Sequence, residues 1–558
     1  MAFNLFKKKT TADTLFCNGT IITLDPDAAP ATAVAVKDGV VLAVGDEEDL
    51  QELCGKSTQR IDLEGGALVP GFFDSESTLV RDTFAQFSLA LSPSMDLPQI
   101  VDALAVYIAE HPEVDRIFAF GYSEDLFAEE EAARTVRALL DPLSPEKPLF
   151  LLSDQGNQML LNSAALDFVH DFILEEYRRM QGVSEHKAAP RGTNSAADSV
   201  MSRHSEEGFD MDQWDEAEEE EDGEGVGEIE TDNDPWPLLR DTLIGYQYYR
   251  RDEAGIITGC AEGPGLTGWL MGILEPFDPE EVSKVAWELS AKAAASGYTA
   301  LLESGCPDYL SRTFLSFLIN NAQEGNPLQR YHSTTVYKRE TDIYLSQKRL
   351  DQKQTLCSEL EGLINANTLT LAVSEAEEGQ LSLGTEFMTQ YAVQAADHGY
   401  DVVIQAAGPD TAQAAAEALQ AARTASKKAR LTLKVSGLTA AEEDKLEDLC
   451  LEEDLTFVTK LPAPGSLPQT AETAEALLDV LCGRAAQMLR RCEKTGSIAK
   501  GNPADFTVLE RDPLATGEDP RTIPVVMTVL SGNPVSLEAP ASDDWDEDAW
   551  EDEEEDDE

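Results

Sequence analysis

Across most of this 558-residue chain, short apolar runs alternate with stretches of helical periodicity, and that alternation restricts the fold more than any other feature. Residues 300–302, 402–405 and 433–435 read as short strands, while 279–295, 411–425 and 440–451 repeat their apolar positions at helical spacing. Strand and helix in alternation over several hundred residues point to a parallel sheet. At this size its commonest form is a closed TIM-like (β/α) barrel. Ahead of it, residues 33–44 predict a hairpin that turns at Lys37-Asp38-Gly39.

The pattern thins late in the chain. Between Ser436 and Thr495 the sequence offers one helix, 440–451, and one strand, 455–461, before Pro462, Pro464 and Pro468 forbid a central strand. A helix over 471–491 follows. Eight-stranded closure needs a further strand with its own crossover. A barrel incomplete on its late side is therefore expected, unless 463–467 makes a token eighth strand or an earlier segment supplies one. Open strand edges would need cover, from the segment 238–251 or from a partner chain.

The chain carries 105 Asp and Glu against 42 Lys and Arg, a net charge of −63. This balance argues against nucleic acid as a partner and disfavours an anionic membrane surface. No run reaches the roughly 20 apolar residues of a membrane span, and no apolar leader follows Lys7, Lys8 and Lys9, so a cytoplasmic protein is expected. Eight cysteines without a C-x-x-C pair read as buried free thiols in a reducing compartment.

Two blocks concentrate the negative charge: residues 206–234 hold 16 acids and no Lys or Arg, and 543–558 hold 13 acids. Self-repulsion and low hydrophobicity predict disorder for an insert at 200–236 and a tail at 541–558. Both set a Trp among acids, at Trp214 and Trp545. They read as solubilising segments, as a docking strip for a basic protein partner, or as a weak calcium or magnesium buffer without EF-hand spacing.

Longer phrases mark the two ends. Residues 12–27 read ADTLFCNGTIITLDPD, 33–50 AVAVKDGVVLAVGDEEDL, 61–78 IDLEGGALVPGFFDSEST and 496–514 GSIAKGNPADFTVLERDPL. Weaker echoes lie between them: SDQGNQMLLNSAAL, GIITGCAEG, GYTALLESG, VVIQAAGPDT and RLTLKVSGL. In this order the phrases resemble the amidohydrolase superfamily, of the type that includes N-substituted formamide deformylases. The resemblance implies a composite β-sandwich from 11–69 and 496–540, beside a metal-dependent-hydrolase-like barrel over 70–495. It also implies hydrolysis of non-peptide carbon–nitrogen bonds. Such proteins hold one or two divalent ions at the carboxyl-terminal mouth of the barrel, where imidazole and carboxylate ligands generate hydroxide near neutral pH. A carboxylate relays the proton to the leaving nitrogen.

The matching positions depart from that ligand set. Glu76 and Thr78 stand where His-x-His follows the first strand. Asn157 ends Gln155-Gly156-Asn157 in place of Asp-Gly-His, and Gln405 replaces the fifth-strand histidine. Lys434-Val435 occupies a Glu-His position, and Leu467 stands for the Asp of a Gly-Ser-Asp phrase. Val435 and Leu467 cannot coordinate, Gln405 and Asn157 are weak neutral donors, and Lys434 repels a cation. No metal cofactor and no catalytic residue is therefore expected.

Of the six histidines only His332, at a strand start, falls where a pocket could use it. Glu76, Asp154, Glu303, Glu375 and Asp410 near strand ends offer hard oxygen ligands for magnesium or manganese, or acid–base groups without a metal. The simpler reading is solvated strand-end acids and caps, with Asp410 as the N-cap ahead of Thr411. Asp154, Glu303, His332 and Asp410 are the candidate pocket residues. Three functions remain open: a pseudoenzyme that binds a ligand or partner, alone or as a homo-oligomer; an active carbon–nitrogen hydrolase with a carboxylate site; and an acidic interaction scaffold or cation buffer. The first is the working expectation.

Overall fold

The computed structural model describes residues 10–127, 130–180, 249–274, 276–303, 308–323, 325, 327–337, 354–355, 357, 360, 362–374, 381–488 and 496–537. The acidic insert and tail, with Glu375, His186, His204, Cys306 and Cys492, lie outside the described residues.

Seven strands make one parallel sheet, in chain order: β1 Phe72–Ser77, β2 Tyr298–Glu303, β3 Arg330–Tyr337, β4 Ile364–Val373, β5 Asp401–Ala407, β6 Leu431–Ser436 and β7 Thr456–Thr459. Their β-branched content suits the ladder: Val402, Val403 and Ile404 of β5 lie beside Leu431, Thr432 and Leu433 of β6. Helices Thr385–Asp397, Pro409–Ala425 and Ala440–Glu452 alternate with the late strands. Ala412, Ala415, Ala416 and Leu419 pack on Val402, Ile404, Leu431 and Leu433, so small side chains bring helix and sheet close. The helix expected from Thr411 opens at Pro409, whose fixed φ suits the first helical position. Asp410 is therefore not the N-cap. It sits exposed in the first turn, where its charge complements the helix dipole.

The other face of the sheet holds Phe73, Ala300, Leu302, Val403 and Val458 in one buried cluster with Ala485 and Met488. Phe73 and Val458 belong to the two end strands, so the sheet curls until its edges share one core. The edges do not join: β1 and β7 have no ladder between them, and among the described residues no strand stands in the gap. The helix Ala471–Leu478 covers this seam, continuing through a π-turn at Asp479–Arg484 into Ala485–Gln487 and packing on both β1 and β7. The expected cover from 238–251 is not used: Tyr249–Arg251 is an edge strand of a different sheet, and the rest of that segment lies outside the described residues. The physical reason lies in the prolines. They bar a strand after β7, and the end of the next helical segment, with Ala485 and Met488 buried against Phe73 and Val458, goes into the opening instead.

That different sheet occupies much of the span expected as barrel. Leu89–Ala90, Ile117–Tyr122 and Leu149–Ser153 run parallel, followed by Gln158–Leu161, Ile257–Glu262 and Tyr249–Arg251 in antiparallel pairing. Only four residues, 154–157, separate Leu149–Ser153 from Gln158–Leu161. A parallel crossover needs about a dozen residues, so this link can only be a hairpin.

The two chain ends meet beside the parallel sheet. Thr20–Ile21, Ala67–Pro70, Phe506–Leu509, Val525–Leu530 and Asn533–Pro534 form one five-stranded sheet, and Val40–Gly45, Ala33–Lys37, Thr14–Cys17 and Gln59–Asp62 a second of four. The predicted hairpin is the antiparallel pair Ala33–Lys37 and Val40–Gly45. Phe16 and Phe506 meet edge to face at 5.6 Å in a core shared by both sheets. Gly297, at φ +88, enters β2 so close to Phe506–Leu509 that a Cβ would lie 2.5 Å from Thr507, which bars any larger residue there. Arg330 of β3 reaches the same region and donates to both carboxylate oxygens of buried Asp505. No helix among the described residues is long and apolar enough to cross a membrane.

Candidate functional site

Strand alternation decides which of the matching positions face the lumen. On β6, Leu433 and Val435 point into the helix layer, which leaves Lys434 on the inner face. Lys434 is almost fully buried, its side chain 4% exposed. Its ammonium reaches past β7 to the far side of the seam, donating to the Ser75 carbonyl at 2.8 Å and pairing with Glu76 Oε1 at 3.0 Å. A side chain thus makes the link across the seam that a backbone ladder would make in a closed barrel. Burial pushes the Lys434 ammonium below the usual lysine range, against the pull of Glu76 and Asp74. Burial likewise pushes the half-buried Asp74 carboxyl above its ordinary range, opposed by the Glu76 N–H, which donates to Asp74 Oδ1 at 3.0 Å.

The other positions do not converge on this pair. Gln405 lies beside Lys434 in register, on the neighbouring strand. Thr78 turns away and donates to Asp82 of its own helix at 2.8 Å. Asn157 and Asp154 lie in the hairpin turn of the second sheet, where the Asn157 N–H donates to Glu124. Leu467 sits in an exposed loop tied down by the Gly465 N–H on Asp519 at 2.9 Å. Glu303 is buried, and its Oε2 accepts from Ser311 at 2.9 Å, Tyr331 at 3.0 Å and Ser333 at 3.2 Å, bonds that hold β2, β3 and the following helix together. Buried His332 sets its ring edge-on to Phe73 at 6.3 Å, in the lumen core.

The seam opens into a cleft of about 460 Å³ that the sequence did not reveal. Phe73, Asp74, Ser75 and Glu76 line one side, Lys460, Leu461, Pro462, Ala463 and Pro464 the other, with Ser296, Tyr298 and Arg521 at its outer end. Its one sequence signal was the run of prolines where an eighth strand was missing.

The divalent ions that the resemblance implies do not fit these residues. At the position closest to a ligand set, a lysine ammonium already sits on Glu76, and two like charges there would repel. Among the described residues no three His, Cys, Asp or Glu side chains gather as a metal site.

Fold and site together define an α/β protein with a curled parallel sheet whose inner face carries a buried lysine–glutamate pair. The pattern of the Amidohydrolase family matches residues 59–195 and 456–536. The chain is 28% identical over 165 residues to the protein LONG AFTER FAR-RED 3 of Arabidopsis thaliana, covering 30% of this chain and 28% of that one. It is 26% identical over 159 residues to the N-substituted formamide deformylase of Arthrobacter pascens, covering 28% and 29%. The matched stretch thus spans less than a third of either relative. An uncharacterized metal-dependent hydrolase from Pyrococcus horikoshii aligns over 90% of this chain and 98% of its own, at 14% identity and a TM-score of 0.47. Both ends of the chain are thus similar to the amidohydrolase family. Lys434, Gln405, Glu303 and His332 fall outside the residues that the family pattern matches.

Proposed function

We propose that this protein is a pseudoenzyme of the amidohydrolase type, which keeps the curled sheet for binding and has given up metal-assisted hydrolysis. The observation that carries the reading is the Lys434–Glu76 pair: the cationic charge at the barrel mouth belongs to a side chain, fixed at 3.0 Å from the carboxylate at the first-strand ligand position. An ammonium neutralises Glu76 and has no open coordination position at which water could be activated. Glu303 Oε2 is engaged by three hydroxyl donors and Asp410 lies in the first turn of a helix, which takes these two candidate carboxylates out of the metal's place. The chain ends 11–69 and 496–540 act in this reading as one composite β-sandwich, and the acidic insert and tail as surfaces for a basic partner in the cytoplasm.

The test is turnover. The full chain is assayed against a panel of N-substituted formamides and other non-peptide amides, with and without added zinc or manganese. No hydrolysis above the blank is expected. Hydrolysis that Glu76→Gln abolishes would overturn the proposal.

A further inference from the structure

The seam cleft has a charge pattern that the lysine–glutamate pair does not use up. Its volume of about 460 Å³ lies within the range of roughly 300–1,000 Å³ typical of small-molecule sites. Two of its charges are committed elsewhere. Glu76 is paired with Lys434. Arg521 donates from Nε at 3.1 Å and Nη2 at 2.8 Å to Asp519, and from Nη1 to the Pro462 carbonyl at 2.6 Å. Two others stay available on opposite sides of the seam. Asp74 receives the N–H of Glu76, two residues along its own strand, and a side-chain hydrogen bond from Ser77; Lys434 attracts it but forms its ion pair with Glu76. Lys460 is exposed on the facing loop and has no carboxylate within ion-pair distance among the described residues. Between them stand apolar walls: Phe73, Tyr298, Leu461, Pro462 and Pro464.

A purely cationic ligand would meet Lys460 and the nearby Lys434, and a purely anionic one would meet Asp74 and Glu76. Only a molecule with both signs matches both walls. A half-buried carboxylate gains most from a cation brought beside it, because water solvates it poorly. We propose that the seam cleft binds a small zwitterion, an amino acid with an apolar side chain, its ammonium on Asp74, its carboxylate on Lys460 and its side chain against Phe73, Tyr298 and the prolines. The opening left by the absent eighth strand is then a lateral ligand entrance rather than a defect in the wall. The proposal rests on the ligand-binding reading above and deepens it. The two fail separately: a negative binding result leaves absent turnover intact, and metal-dependent turnover leaves zwitterion binding intact.

The experiment is calorimetric titration of the full chain with phenylalanine, as both enantiomers, alongside phenethylamine, which lacks the carboxylate, and 3-phenylpropionate, which lacks the ammonium. At least one enantiomer of phenylalanine is expected to bind saturably, with each analogue about tenfold weaker or more, since a charge-assisted contact to one wall is lost. Lys460→Gln, at an exposed position that does not threaten folding, should lower phenylalanine to the affinity of phenethylamine. Asp74→Asn should lower it to that of 3-phenylpropionate. No saturable binding of either enantiomer up to its solubility limit would overturn the proposal. So would analogues that bind as tightly as phenylalanine, or an unchanged affinity in Lys460→Gln.

Discussion

Arg330→Met tests how the parallel sheet is fastened to the sheets built from the chain ends. In the native protein the Arg330 guanidinium donates from Nε to Asp505 Oδ2 at 2.7 Å and from Nη2 to Oδ1 at 3.0 Å, with further bonds to Ser531 Oγ at 2.9 Å and to the Gly362 carbonyl. Both partners are nearly dry, with Arg330 7% and Asp505 9% exposed. Methionine fills the stem volume and removes the charge, so Asp505 is left buried without its guanidinium partner, with the Ser531 N–H, at 2.9 Å, as a surviving donor. Breaking one side of a buried pair costs about 3–5 kcal/mol. The surviving donor places this case at the low end, about 3 kcal/mol, or roughly a 150-fold shift in the folding equilibrium. Asp505→Asn should cost a comparable amount by stranding the guanidinium. The double variant should cost less than the two singles added, by about 0.5–3 kcal/mol, since no lone charge is left buried. Urea unfolding followed by circular dichroism measures all three. Single variants as stable as the parent, or strictly additive losses, would refute the reasoning.

Other outcomes follow from the same structure. Truncation after Thr495 removes Phe506–Leu509, the neighbour of Ala67–Pro70, so the amino-terminal strands should melt earlier; an unchanged melting curve would contradict this. Burial holds Lys434 below its unfolded value of about 10.4. Between the folded and unfolded values the unfolded chain binds more protons, so stability should rise with pH on approach to about 10 in the parent and not in Lys434→Met. A constant stability difference between the two proteins from pH 7 to 10 would count against that. Among the described cysteines Cys54 is half-buried, while burial pushes Cys260 and Cys450 up to about 12. Among these described cysteines native labelling with a thiol-specific disulfide should therefore reach Cys54 first, and prior reaction at Cys260 or Cys450 would be inconsistent with the packing.

Local signals in the sequence carried much of the fold. The apolar run 402–405, the Ala-rich helix after it and the 433–435 run reappear as β5, Pro409–Ala425 and β6 because each has a period that fits one structure only. The single late strand was legible because proline cannot join a ladder from its centre. The second sheet was not, since a run such as 149–153 looks the same in a barrel as in a hairpin, and only the four-residue link to 158–161 distinguishes them. The seam cover was missed for a related reason. The apolar side of 471–491 was visible, but not that it would lie between β1 and β7.

The site shows a sharper limit. Lys434 is visible in sequence as a residue that repels a metal. Its reach across β7 to Ser75 and Glu76 depends on the curl of the sheet, and on Leu433 and Val435 turning outward. Asp74 and Lys460 share no motif, and only the open seam brings them to one cleft. Glu303 resembles a candidate ligand in sequence, where nothing shows that three hydroxyl donors converge on its Oε2.

The central claim is that a lysine ammonium holds the place of a metal's charge beside Glu76. Its most direct test is the metal content of the full chain, produced with zinc, iron and manganese supplied, dialysed against metal-free buffer and measured by elemental mass spectrometry. The account predicts well below one equivalent of any transition metal per chain. One or more tightly held ions per chain would contradict it.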